Sequence, residues 1–277
     1  MRHRFRSTII VATILLSPLA GVAGDWAVLA PGLELGEFKA QRRTSEGDSL
    51  VLILRVDPVH WELIALTASD ASRQTGNLTA RQWCERYGLA AAINAGMYQE
   101  DFRTHVGYMR CDGHVNSAGK NNYQSVAAFA PRRDGLPPFR IVDLDQVEWD
   151  TVMAQYDCVI QNLRLIARPG DNRWSPSDER WSEAALGEDR QGRILFIFCR
   201  SPYPMHEFNN ILLELPIDLV CAQHLEGGPE AQFYLRYGSI TRDVAGSYET
   251  GFNENDHNRE ARPLPNVLGI VPRDTLR

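Results

Sequence analysis

The segment His224-Leu225-Glu226-Gly227-Gly228-Pro229-Glu230 concentrates residue types that carry proton-transfer chemistry. An apolar run at 219–222 leads into it and an aromatic run at 233–235 follows. The pattern reads as a buried strand that ends on a carboxylate with two glycines beyond. Glycine lacks the Cβ that forbids positive φ, so a pair of them lets the backbone turn sharply or come close to a ligand. That lip suits an active site; a tight turn flanked by two Glu is the plainer reading. A second strand end, Asn94-Ala95-Gly96, follows the apolar run at 89–93. If the two strands are neighbours, Asn94 and Glu226 share one cleft. Asn supplies a neutral acceptor and two donors, and Glu supplies charge or a proton. The pairing suits sugar recognition beside a catalytic carboxylate, or a hard-metal site.

Other candidates are weaker. His224 and Glu226 are two apart and face one side of a strand, but the simpler reading keeps His224 as a satisfied core histidine. His105 sits between a polar stretch and Val106-Gly107, where it serves as acid, base or phosphate donor, or else caps a turn. Lys120-Asn121-Asn122 offers a cation and two amides for phosphate or sugar hydroxyls, or is a solvated turn. Asn253 to Asp256 is oxygen-rich and reads more simply as a loop than as a calcium site.

The elements that must position these groups can be read from periodicity. Residues 49–56 and 61–67 read as paired strands around Asp57-Pro58. Thr79 and Gln82 form a capping box for a helix that Gly88 stops, with Leu78 stapled onto Trp83. Asp112-Gly113 marks a hairpin over 106–115. Strands are expected at 125–130 and 139–144, a loop at 172–179, and a second hairpin across 184–187 and 193–199. Ser201-Pro202 opens a helix with apolar residues at helical spacing, closed by Pro216. Residues 242–262 read as loop and 267–271 as a last strand. Strands outnumber helices and several are joined by hairpins. The expected fold class is α+β, a mixed, largely antiparallel sheet core with a few packed helices in a single domain.

Arg2, His3, Arg4 and Arg6, then a mostly apolar stretch at 7–20 and small residues to Gly24, read as a secretory signal peptide. The expected division is 1–24 signal peptide, 25–48 N-terminal extension and 49–277 one domain, in a secreted or periplasmic protein. No second apolar stretch is long enough to cross a bilayer, so the mature chain has no integral membrane segment. The net charge of -6 argues against a nucleic-acid partner, which needs a basic face. The five cysteines contain no Cys-x-x-Cys pair, against structural zinc, and their odd number leaves at least one thiol unpaired. Cys158, Cys199 and Cys221 lie in apolar runs and read as small buried hydrophobes. There is no Gly-x-Ser-x-Gly elbow, P-loop, dinucleotide fingerprint or His-Glu-x-x-His.

In order along the chain, Ile93-Asn94-Ala95-Gly96-Met97-Tyr98, Val106-Gly107-Tyr108 with Asp112-Gly113, Ala184-Ala185-Leu186-Gly187 and Leu225-Glu226-Gly227-Gly228 resemble the phosphodiester glycosidase family. The resemblance covers residues 50–272 and is nearest to a divergent bacterial secreted branch. It implies hydrolysis of a sugar–phosphate diester at the glycosidic bond. It carries the family's Asn-Gly element onto Asn94 and Gly96, and its acidic-Gly-Gly element onto Glu226, Gly227 and Gly228. Three positions differ: Glu226 stands where the family usually has Asp, Pro229-Glu230 where it has Gly-Ser, and Glu183 where it often has Arg.

On this reading Glu226 is the nucleophile or general base and His105 assists catalysis. Asn94, Gly96, Lys120, Asn122, Gly227, Gly228 and Glu230 bind a small-molecule or glycan substrate. The metal is not specified, and a divalent cation is open as a cofactor. Two alternatives stand beside it: a non-catalytic exported protein that binds a glycan or partner, and an ordinary glycosidase using Glu226 and Glu230 as its carboxylate pair.

Overall fold

The computed structural model describes residues 26–273. The signal-peptide reading falls on residues outside this range.

Three sheets surround one core. The largest has the order β1 (Trp26–Ala30), β2 (Leu33–Lys39), β3 (Leu50–Val56), β14 (Ile194–Pro204), β13 (Arg180–Asp189), β15 (Leu219–Gly227), β11 (Arg164–Ala167) and β12 (Asp171–Asn172). The second runs β7 (His114–Ser117), β6 (Met109–Cys111), β10 (Tyr156–Asn162), β8 (Ser125–Pro131) and β9 (Phe139–Asp143). The third runs β17 (Ile240–Ala245), β16 (Gln232–Tyr237), β5 (Ala91–Asn94), β18 (Asn266–Pro272) and β4 (Trp61–Thr67). Apolar side chains from all three, including Leu54, Ile93, Phe129, Ile160, Phe196 and Phe233, form a common cluster. Each such side chain contributes ~1.5–3 kcal/mol on burial.

One helix covers the outer face of each sheet. Helix α3 (Met205–Glu214) lays Met205, Phe208, Ile211 and Leu212 on Ile53, Leu195 and Ile197 of the large sheet. Helix α2 (Trp149–Gln155) packs Val152 on Val126 and Val159 of the second. Helix α1 (Ala80–Tyr87) packs Trp83 on Ala92 and Val267 of the third. The expected capping box of α1 is present, with Gly88 left-handed at its end.

Several expectations need correction. Every strand pairing among the described residues is antiparallel, so the sheets are not mixed. Strands β3 and β4 do not pair: the Asp57-Pro58 turn carries the chain from the large sheet to the third. Strand β14 runs through Ser201-Pro202 to Pro204, and α3 starts only at Met205. Thr241 to Ala245, expected within or beside a loop, are held in β17 by β16. Cys158 is no isolated hydrophobe: it is disulfide-bonded to Cys111 across neighbouring β6 and β10, whereas Cys84, Cys199 and Cys221 are buried free thiols. Residues 26–39, expected as an extension, form β1 and β2 of the large sheet.

Candidate active site

The site forms where the chain leaves one sheet for another. Strand β15 belongs to the large sheet and β16 to the third, and a short 3-10 turn at Gly228–Glu230 joins them. Just before that turn, β15 bulges. Glu226 faces Ala184 and His224 faces Ala185 on β13, so Leu225 has no residue opposite. A bulge of this kind re-aims the side chains at a sheet end.

Strand β5 is in the third sheet and is not a neighbour of β15, against the expected pairing, but it brings Asn94 to the turn after β15. Asn94 is buried; its Nδ2–H donates to the Glu230 carbonyl at 3.0 Å and its Oδ1 accepts the Gln232 N–H at 2.7 Å. It therefore fixes the turn that carries Glu230.

The two glycines also differ from expectation. Their missing Cβ atoms admit protein and not ligand. A Cβ on Gly227 would lie 2.7 Å from the Trp181 ring, and one on Gly228, at φ +59°, would lie 2.2 Å from a Glu249 carboxylate oxygen. Gly96 is similar: a Cβ there would meet His105 Cε1 at 2.2 Å and Asn162 Oδ1 at 2.3 Å.

Glu226 is half-buried, and its one hydrogen bond among the described residues comes from the Gly227 N–H at 3.1 Å. Burial pushes its carboxyl up to about 8; His224 and the Gly227 N–H pull against burial, and Glu230 and Glu249 add to it. At neutral pH this carboxyl holds its proton, which is not the ionised form that the expected nucleophile or base would use. Burial also raises the half-buried Glu249, with Glu230 adding to it and His224 and Arg262 opposing. Glu230 is ion-paired with Arg262. The Tyr98 phenol is pushed up by burial first and then by the charges of Glu226 and Glu230.

Beneath Glu226 lies a sealed pair. His224 Nδ1 is 2.8 and 3.0 Å from the two Glu183 oxygens, and the Trp181 indole N–H donates to Glu183 at 2.7 Å. Burial raises the Glu183 carboxyl, against His224 and Trp181. The His224 imidazole is depressed by burial but raised on balance, chiefly by Glu183. The core-histidine reading of His224 thus holds, with the departure at Glu183 as its partner.

His105 does not reach the surface. It is 0 % exposed, its Nε2 lies 2.9 Å from the Gln161 carbonyl, and burial depresses the imidazole to about 4. It is neutral at physiological pH and so carries no charge to offer a phosphate. Lys120 and Asn122 are exposed, with the Lys120 ammonium 4.9 Å from the Trp149 ring centroid. Neither is among the groups that set the acidity of Glu226. Arg180 lies 4.8 Å over the Tyr248 ring and donates to its hydroxyl at 3.3 Å.

Glu249, Tyr98, Arg262 and Trp181 were not expected at this site. Glu249 and Arg262 lie in a polar stretch that reads as loop, and only the fold brings them to Glu226. The site carboxylates have the hard oxygen donors a divalent cation takes. Among the described residues, however, the one set of three potential ligands within 4.8 Å of one another is Cys111, Asp112 and Cys158, two of them spent in the disulfide. A separate hollow of about 130 Å³ is floored by Leu50, Leu52, Phe198 and Val244 and contains none of the site carboxylates.

Comparison with known proteins decides the family. The sequence matches the phosphodiester glycosidase family over residues 87–271, two thirds of its length. The chain belongs to that family. Two solved structures share its fold. One is the catalytic domain of zebrafish N-acetylglucosamine-1-phosphodiester alpha-N-acetylglucosaminidase, auto-inhibited by its pro-peptide; it is 15% identical with a TM-score of 0.61, over 91% of this chain and 87% of that one. The other is a hypothetical protein from Synechocystis, 13% identical with a TM-score of 0.60, over 88% of this chain and 62% of that one. No curated protein matches the sequence. No helix among the described residues is long and apolar enough to cross a membrane.

Proposed function

We propose that this phosphodiester glycosidase family member hydrolyses a sugar–phosphate diester at the glycosidic bond, with Glu226 as its proton donor. The observation that supports this most is a half-buried Glu226 whose one hydrogen bond among the described residues is from the Gly227 N–H, beside the turn that carries Glu230 and packs against Glu249; its burial pushes the carboxyl up to about 8. A neutral carboxyl in this surrounding donates to an anionic phosphate oxygen and adds no repulsion, whereas an ionised one would repel it. The departing phosphate monoester is a weak base, with a second pKa of ~6, so a modest donor suffices. Glu249 is the candidate second carboxyl, in place to accept a proton from the attacking water. Asn94, Glu183 and His224 position these groups and do not touch substrate. The chain is read as one exported domain after its signal segment.

A panel of sugar-1-phosphate diesters and plain glycosides tests this. Turnover of the diesters, abolished in Glu226→Gln, is expected. Turnover of plain glycosides alone indicates an ordinary glycosidase. Binding without turnover indicates a protein that kept the fold and lost the reaction.

A further inference from the structure

Two large exposed aromatic side chains connect to this site. Phe102 and Phe252 are each 62% exposed, and large hydrophobic groups so open to water are few among the described residues. Phe102 packs on Tyr98, ring centroids 5.8 Å apart, in the segment that follows Asn94, whose side chain donates to the Glu230 carbonyl. Phe252 carries the Arg262 guanidinium 5.4 Å over its ring, and Arg262 pairs with Glu230. Each aromatic ring is therefore tied to Glu230, by a different route.

Neither ring is exposed by slack in its loop. Phe102 has a φ of +53°, costly for a bulky residue. The turn is held by the Phe102 N–H on the Gln99 carbonyl at 2.9 Å and by Asn77 Nδ2 on the Phe102 carbonyl at 2.7 Å. The Asp101 carboxylate accepts the Arg103 and Thr104 N–H groups at 2.9 and 2.8 Å. Phe252 sits on the turn that carries Glu249. Its N–H and that of Asn253 both donate to the Glu249 carbonyl, at 3.1 and 2.9 Å, and the Gly251 N–H donates to Glu254 at 2.8 Å. Hydrogen-bonded turns here hold apolar rings out in water near the site carboxyls.

A sugar ring is the ligand such a surface fits. One face of a pyranose presents C–H groups, which carry partial positive charge and meet the negative face of an aromatic ring. The same contact removes apolar area of both from water. A rigid ring loses little conformational freedom on binding, which suits it as a platform. We infer that Phe102 and Phe252 are sugar-stacking platforms that extend the Glu226 site beyond a single sugar, so that the substrate belongs to the glycan chains and not to isolated monosaccharide diesters. This inference rests on the sugar-phosphodiester reading of the site.

The test is binding, which separates it from that reading. The full chain is titrated with mono- and tetrasaccharides of β-1,4-glucose, β-1,4-N-acetylglucosamine and α-mannose by calorimetry, and the aromatic proton shifts are followed by NMR. At least one tetrasaccharide is expected to bind about tenfold or more tightly than its monosaccharide and to shift the Phe102 and Phe252 ring signals. Phe102→Ala and Phe252→Ala are expected to erase that advantage, and Phe102→Trp to restore it. Val59→Ala, which trims an exposed side chain away from these contacts, is expected to leave it unchanged. The inference is overturned if no tetrasaccharide outbinds its monosaccharide, or if the advantage survives in both folded alanine variants. Loss of diester turnover with intact tetrasaccharide binding would instead sink the catalytic reading alone.

Discussion

Replacing Glu226 by Gln should make the protein more stable, by a margin that grows as pH rises from about 4.5 to about 8. Glutamine keeps the shape and hydrogen-bonding reach of the protonated acid but cannot ionise. In the folded chain the carboxyl titrates at about 8, against the ordinary 4.5. Below pH 4.5 it is protonated both folded and unfolded and has no effect on the balance. Between the two values the unfolded chain releases the proton and the folded chain keeps it, so stability declines as pH rises. Above about 8 both forms are ionised and the decline stops. Each pH unit of that interval is worth about 1.4 kcal/mol, so the limit is roughly 5 kcal/mol. Partial exposure of Glu226 and relaxation around the ionised group reduce this to ~1–3 kcal/mol. The assay is urea unfolding of both proteins at about pH 5, 7 and 9, which spans the interval. The difference between the two proteins is the quantity to follow, since it cancels the groups they share. The variant should gain steadily on the wild type from the lowest to the highest pH. Parallel curves would refute the assignment of a protonated, poorly solvated carboxyl at Glu226.

Three other expectations follow from the packing. Gly96→Ala places a Cβ 2.2 Å from His105 Cε1 and should destabilise by ~1–3 kcal/mol in thermal unfolding. Glu183→Gln removes the ionised partner of His224, so the imidazole titration seen by NMR should move to lower pH, while burial keeps the ring in place. Serine at both Cys111 and Cys158 should cost ~2–4 kcal/mol in denaturant unfolding, since the bond closes a long loop in the unfolded chain.

What the sequence could show was what local pattern controls. Thr79, Gln82 and Gly88 bound α1 because capping chemistry is written within one turn. Asp112 and Gly113 make their hairpin because both accept positive φ. Asn94 reaches the turn after Glu226 because β16, which follows that turn, pairs with β5, and that pairing is not written in either strand end. Periodicity does not say which sheet a strand joins, so the separation of β3 from β4 was not legible. Nor was the true use of the glycines: Gly227 and Gly228 look like openings for ligand, and only the packed structure shows Trp181 and Glu249 in those places. His105 looked catalytic by its neighbours in sequence and proves sealed by its neighbours in space. Glu249 and Arg262 carry no local signal, because their importance lies wholly in which residue they stand beside.

The central claim is that Glu226 works as a protonated acid, and the pH profile of kcat/KM on a sugar-1-phosphate diester tests it most directly. Activity should hold through neutral pH, fall as the medium passes about pH 8 where the carboxyl ionises, and be lost at every pH in Glu226→Gln. A profile that instead rises through the alkaline range, or a glutamine variant as active as the wild type, would contradict it.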